Sequence, residues 1–368
     1  MENKILLDNI IFQLQPIGGI SNYWYNLLKG LVDNNNIFYL EDNYLNKNYY
    51  RNLIKLSESL IIKDKNRIPL IIKRYLPLRN IDRHFDIFHS SYYRYAKGNI
   101  KNVTTVHDFL YERCMPKFNL KRVAHSRQKY LAIKHSDYII GVSKNTLDDM
   151  LKYFPEFRNK KMQVIYLGTS AYFYPIKNKG KSIKVQNQEL FYSGYFFYFG
   201  NRKGYKNFRL LINAYSNLLK NNKNIPKLVI AGGGEFSSQE EILLSESKIL
   251  PNLVKIKKIT NSELNLLYNY CTGFIYPSLY EGFGLPLLEA MQAGAPVICS
   301  DLSSIPEVVG EAAIFINPLD VFSLEKALLD LLDNRTRKDM ANMGYKQAEK
   351  FSWKNTYKET LEVYNSLR

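Results

Sequence analysis

The chain has 368 residues, 46% of them hydrophobic, which suits two domains of ordinary size and excludes global disorder. Lys and Arg number 51 against 34 acids, a formal +17 that favours anionic partners: phosphorylated substrates, anionic lipid or nucleic acid. The 3 cysteines form no C-x-x-C pair, the 5 histidines show no metal-ligand spacing, and no apolar run reaches membrane-spanning length. Cys271 and Cys299 flank apolar strand candidates and read as buried free thiols of a reducing compartment. The first residues lack the apolar h-region of a signal peptide. The expected placement is cytoplasmic, peripheral at most on the inner face of a membrane.

Residues 4–8 (KILLD) read as the first strand, followed by a turn containing Gly18 and Gly19. Tyr23, Leu27, Leu28 and Leu31 then recur at helical spacing. A strand, paired glycines and a helix start make a turn that can hold oxygen atoms on backbone N–H groups. Residues 37–40 are the next strand. From 63 to 83, Lys63, Lys65, Arg67, Lys73, Arg74, Arg79 and Arg83 interleave with Ile68, Leu70, Ile71, Ile72, Tyr75 and Leu76. That mixture suits an anionic membrane surface, or a solvated helix with one buried face. Residues 86–89 and 103–108 look like parallel strands ending at polar residues, where ligands gather in open α/β sheets. His107 and Asp108 sit at such an end. Residues 136–143 form another strand before a helix from Lys144, and 164–168 close the first half. The Lys- and Asn-rich stretch 173–193 reads as a linker.

The second half opens with a strand that delivers Arg202, Lys203 and Lys206 into one loop ahead of a helix. Arginine offers a planar fork and lysine a mobile point charge, a pair fit for a diphosphate. Residues 227–235 are a strand and a glycine turn, and no G-K-[ST] follows to make a P-loop. Residues 273–276 are a short buried strand, followed by a turn with Glu281, Gly282 and Gly284. Pro286 suits a helix start, and Glu289 lies one turn in, on the exposed side. Two acids beside free amides suit a polyhydroxylated, phosphorylated ligand, although a first-turn glutamate also serves the helix dipole alone.

The string 276–291, with Glu281, Gly282, Phe283, Gly284, Leu285, Pro286 and Glu289, closely resembles the Glu-x7-Glu signature of retaining family 4 glycosyltransferases. Gly-Gly-Ile-Ser at 18–21, Thr-x-His-Asp at 105–108 and Gly-x-Arg with Lys206-Asn207 extend the resemblance over nearly the whole chain. Its flavour is the mannosyltransferase-B-like subgroup. The resemblance implies the α/β GT-B fold: two Rossmann-like parallel-sheet domains facing across a cleft, with a C-terminal helix crossing back to the first. The implied division is 1–172, a linker 173–193, 194–350 for the donor, and the helix 351–368. It further implies a nucleotide-diphosphate sugar as donor, with GDP-mannose favoured and UDP- or dTDP-linked sugars such as rhamnose open. The acceptor is a glycan or a lipid-linked oligosaccharide of a surface polysaccharide, and neither metal nor other cofactor is expected.

Residue by residue, Glu281 would contact the donor sugar and Glu289 the ribose. Gly18 and Gly19 would approach the donor phosphate and sugar, and Gly282, Phe283, Gly284 and Leu285 would line the nucleotide sugar. Arg202 and Lys206 would neutralise the departing diphosphate, and His107 would approach the transferred sugar. Asp108 would orient His107 or meet the acceptor. Two other classes compete: a polyanion binder, for which the basic residues follow no nucleic-acid motif, and a non-catalytic nucleotide-sugar sensor.

Overall fold

A computed structural model describes residues 3–42, 47–64, 68–79, 84–222 and 224–367. Its contacts divide the chain into two compact units, Met1–Gly168 with Ser352–Arg368, and Thr169–Phe351.

The first unit is built on seven strands: β1 (Ile5–Asp8), β2 (Ile37–Glu41), β3 (Ile61–Lys63), β4 (Ile87–Ser90), β5 (Lys101–Val106), β6 (Tyr138–Gly141) and β7 (Met162–Val164). They lie in the order β3-β2-β1-β4-β5-β6-β7, every neighbouring pair parallel. β1 and β4 are buried at every position, which is why they read in the sequence as continuous rather than alternating apolar runs. Chain order reverses between β1 and β4, so the loops leaving them part and open a crevice at the carboxyl ends of the strands. Helix α1 (Gly19–Leu31) follows β1, and helix α2 (Leu120–His135) precedes β6.

The terminal helix (Trp353–Asn365) belongs to this unit and lies against α1. A side chain at Gly30 would bring its Cβ to 2.3 Å from the Tyr357 ring, so the two helices meet only over a glycine. Tyr364 accepts Asn3 Nδ2 on its carbonyl (3.1 Å) and places its hydroxyl 2.7 Å from His89 Nδ1. Thr356 Oγ1 donates to the Tyr166 carbonyl (2.7 Å).

Three readings of this half change. The last strand ends at Val164, two residues earlier in onset than the apolar run 164–168 suggested. Lys73 is buried, its ammonium held by Asp42 (2.8 Å) and Asp64 (3.2 Å). Arg74 stacks over the Tyr92 ring at 4.9 Å. Those two cations are therefore not presented to a membrane. Exposed in the same segment are Lys63 and Arg79 together with the apolar Ile71 and Ile72. Lys65, Arg67 and Arg83 lie outside the described residues.

The second unit begins at Thr169, ahead of the expected linker, and takes the whole of that stretch into itself. Residues 173–193 carry an antiparallel hairpin, β8 (Ser182–Val185) with β9 (Gln188–Phe191), its turn made by Gln186 at φ 53°. Tyr192 N–H closes the base of the hairpin on the Lys181 carbonyl, and Ser193 N–H donates to the Tyr270 carbonyl. The main sheet holds β10 (Tyr195–Phe199), β11 (Lys227–Ala231), β12 (Leu253–Ile256), β13 (Gly273–Tyr276), β14 (Val297–Ser300) and β15 (Ile314–Ile316). All are parallel, in the order β12-β11-β10-β13-β14-β15. Helix α3 (Phe208–Asn221) buries Leu211, Ile212, Tyr215 and Leu218 against this sheet. Helices α4 (Ser238–Glu246) and α5 (Leu285–Gln292) follow β11 and β13. Here the order reverses between β10 and β13, so the loops that follow these two strands flank the second crevice. Cys271 and Cys299 are buried free thiols.

Candidate functional site

In the second unit the reversal brings together the two loops that the sequence singled out. Lys206 ends the loop after β10, and its Nζ lies 2.5 Å from Glu281 Oε1, in the loop after β13. The same Nζ donates to the Tyr276 hydroxyl at 2.9 Å. Leu279 N–H donates to the Tyr205 carbonyl (2.7 Å), so the loops are joined through backbone as well. Lys206 is buried, and a buried ammonium is tolerable only with such a partner. Two donors of its three are thereby accounted for.

The Glu281 turn is held from outside its own segment. Glu281 N–H donates to Ser303 Oγ (2.9 Å), and Ser304 Oγ donates to the carbonyls of Glu281 (3.0 Å) and Phe283 (3.1 Å). Ser303 adopts φ 56°, a left-handed conformation that aims it at the turn. Gly284 at φ 103° permits the abrupt entry into α5, with Leu285 and Pro286 opening that helix. The Phe283 ring packs edge-on to Phe351, 6.0 Å between centroids. Tyr276, Ser303 and Ser304 were not picked out from sequence. Tyr276 looked like plain strand, and the serines lie more than twenty residues downstream.

Glu289 differs from its expected exposed position. It is half-buried, and burial raises its carboxyl to about 7, the Tyr268 hydroxyl partly offsetting this. A carboxyl whose folded value exceeds the ordinary 4.5 keeps a proton that the unfolded chain releases. Its contribution to stability is present below about 4.5 and is lost as pH rises to about 7. Glu289→Gln has no proton to lose there, so its melting temperature should fall less than the wild type's between pH 5 and pH 8. Parallel curves for the two proteins would contradict this.

Arg202 also differs. Its Nε donates to Glu240 Oε1 (2.7 Å), Nη1 to the Gly232 carbonyl (2.9 Å) and Nη2 to the Glu235 carbonyl (2.7 Å). The side chain is only 2% exposed. The guanidinium faces the glycine turn after β11, not the Lys206–Glu281 pair.

The first unit collects the remaining candidates. Gly18 and Gly19 stand at the start of α1, where the Gly18 carbonyl accepts Asn22 N–H (2.9 Å) and Ser21 Oγ (3.0 Å). A Cβ at Gly18 would meet Gln15 Oε1 at 2.4 Å, whereas the space over Gly19 is open. His107 directly follows β5, its N–H donating to the Tyr93 hydroxyl (3.1 Å) and its ring 5.0 Å from that of Tyr23 in α1. Burial lowers its imidazole to about 4 against the opposing pull of Asp108, so the ring is neutral at physiological pH. Asp108 accepts Leu110 N–H on Oδ1 (3.0 Å), and its carbonyl accepts Lys129 Nζ (2.6 Å). Tyr23 and Tyr93, which frame His107, were missed because each reads as ordinary core.

Residues 17–171 match the family model described as Glycosyltransferase Family 4, and residues 180–350 match Glycosyl transferases group 1. O-antigen chain mannosyltransferase B of Escherichia coli is 29% identical over 313 residues, covering 82% of this chain and 81% of that protein. The serotype-specific mannosyltransferase WbdA of Escherichia coli is 37% identical over 166 residues, 44% of this chain and 20% of that protein. Among solved structures, sucrose-phosphate synthase from Thermosynechococcus elongatus superposes with a TM-score of 0.75 at 17% identity, covering 99% of this chain and 98% of that one. Anabaena HepE, in complex with UDP and glucose, gives 0.70 at 14% identity, covering 99% and 100%. These likenesses identify the fold as GT-B.

Proposed function

We propose a specific reaction for this chain, which belongs to the family 4 and group 1 glycosyltransferases: transfer of a hexose from a nucleotide-diphosphate sugar to a glycan or lipid-linked acceptor, with retained configuration. The mannosyltransferase relatives favour GDP-mannose as donor and surface-polysaccharide synthesis as the setting. The HepE structures hold UDP and UDP-glucose, so a UDP- or dTDP-linked sugar is the second reading.

The observation that carries the proposal is the meeting of Lys206, Glu281 and Tyr276 at the strand-order reversal of the second unit. A cation there meets the diphosphate and stabilises the charge that develops as the nucleotide departs. Glu281 accepts from hydroxyls of the transferred sugar, Glu289 from the ribose, and residues 282–285 line the nucleotide sugar. In the first unit, neutral His107 exchanges hydrogen bonds with the sugar, and Gly18 and Gly19 approach the donor. Asp108 is assigned to the acceptor side. The acceptor oxygen bonds to the anomeric carbon on the face from which the phosphate leaves. Its proton passes to the departing phosphate oxygen, giving the glycoside and the nucleoside diphosphate. No protein nucleophile, metal or cofactor takes part in this scheme.

Incubation with GDP-mannose and a mannoside acceptor tests it, with the anomeric configuration of the product read by NMR. Retention is expected. An inverted product would remove the same-face attack, and no transfer from GDP-, UDP- or dTDP-sugars would remove the assignment.

An anionic membrane surface is the partner we propose for the first unit. No helix among the described residues is long and apolar enough to cross a membrane. Ile71 is 75% exposed, Phe118 95% and Leu120 85%, and Lys117, Lys121, Arg127 and Lys134 are exposed in residues 113–136, which hold no acid. Phe118→Ser with Leu120→Ser should reduce co-sedimentation with phosphatidylglycerol vesicles by roughly tenfold or more, since each side chain contributes about 1.5–3 kcal/mol when buried. Unchanged partitioning would exclude this surface.

A further inference from the structure

We infer that Arg202 is a positioning residue: it locks the loop carrying Lys206 to the glycine turn 232–235 and does not itself touch the diphosphate. This rests on the reading of the second unit as the donor unit. The guanidinium donates to the carbonyls of four successive residues, Gly232 at 2.9 Å, Gly233 and Gly234 at 3.3 Å each, and Glu235 at 2.7 Å. Four peptide oxygens converge on one point only if the backbone curls tightly. Gly232, Gly233 and Gly234 do so at φ 81°, 71° and 73°, a left-handed run that other residues rarely adopt. Without a cation at its centre, that ring of oxygens would be self-repelling.

The lock extends to a third strand. Glu240 receives Arg202 Nε on Oε1 and accepts Ser237 N–H on Oε2 (2.7 Å), capping α4. The Glu235 carboxylate pairs with Lys255 of β12 (2.5 Å) and with Lys257 (2.7 Å). The Phe236 ring closes one side of the guanidinium at 4.6 Å. Arg202 thus ties the loop after β10 to the turn after β11, and Glu235 ties that turn to β12. Lys206 stands four residues after Arg202, at the end of one short turn of helix, and Asn207 at φ 55° leads into α3. A loop held at Arg202 and at α3 leaves Lys206 little freedom but to meet Glu281. Only arginine can do this, because lysine lacks the five-donor fork.

Hydrogen exchange on the ligand-free protein tests the assignment, alongside nucleotide titration and steady-state kinetics. Arg202→Ala and Arg202→Lys should both speed exchange of the amides 201–208 and 232–236 by roughly tenfold or more, the local-opening signature of a lost tie. Both should raise KM for the donor. Gly233→Ala should reproduce these effects, since its Cβ would come within 2.6 Å of Arg202 Nη1 while touching no ligand. Wild-type exchange in Arg202→Ala together with lost nucleotide affinity would overturn the inference and make Arg202 a ligand. Full affinity in Arg202→Lys would overturn it too, as would faster exchange with unchanged affinity and KM. A wild-type protein that binds no nucleoside diphosphate would refute the donor-unit reading instead, while the exchange data would still report on the lock.

Discussion

Glu281→Gln should lower the rate of sugar transfer by about 10²–10³-fold while leaving nucleoside diphosphate affinity within about threefold of wild type. The amide keeps the size and one acceptor oxygen of the carboxylate, so Lys206 Nζ retains a partner where it now has Glu281 Oε1 at 2.5 Å. Ser303 and Ser304 hold the turn through its backbone, and the substitution does not disturb them. What disappears is the negative charge that the proposed reaction sets beside the transferred sugar, where it would matter most as positive charge develops at the anomeric carbon. Glu281→Ala goes further and leaves a buried ammonium without its counter-charge, so it should also lower stability by about 2 kcal/mol. Thermal melts of the two variants separate these effects. Near wild-type turnover in Glu281→Gln would end the role given to this carboxylate.

Replacement of Lys206 by Met should weaken nucleoside diphosphate binding by about 10–100-fold, the worth of one or two charge-assisted hydrogen bonds to phosphate. Met fills a similar volume, and Lys206 is only 9% exposed, so packing changes little. The Tyr276 hydroxyl and Glu281 carboxylate would both lose their donor. Arginine should not rescue, because its planar fork cannot sit between Tyr276 and Glu281 at the distances the ammonium keeps. Isothermal titration with the preferred nucleotide measures the loss. Affinity unchanged in Lys206→Met would place the diphosphate elsewhere.

The sequence carried much of this arrangement because parallel strands buried on both faces leave continuous apolar runs. β1, β4, β10 and β13 are such runs, and polar residues just past their ends are visible in one pass. The pairing of Lys206 with Glu281 needed strand order, which sequence does not print: β10 and β13 are neighbours only because the chain reverses between them. The Gly-x-Arg element marks Arg202 for the diphosphate, and neither motif nor composition reports which way a guanidinium points. Its capture by four carbonyls depends on the conformation of three glycines thirty residues away. Lys73 misled for a similar reason. Interleaved basic and apolar residues suggested a solvated or membrane-facing stripe, but Asp42 and Asp64 stand beyond the ends of β2 and β3 and draw this lysine inward. The hairpin 182–191 was lost among lysines and asparagines, which give strands of four residues little apolar signal.

Metal-free titration of the purified chain with GDP, UDP and dTDP is the decisive measurement, with Lys206→Met as the control. One nucleotide should bind the wild-type protein selectively, GDP by the kinship with mannosyltransferases, and the variant should lose it. Absence of binding by all three, or equal binding in wild type and Lys206→Met, would contradict this.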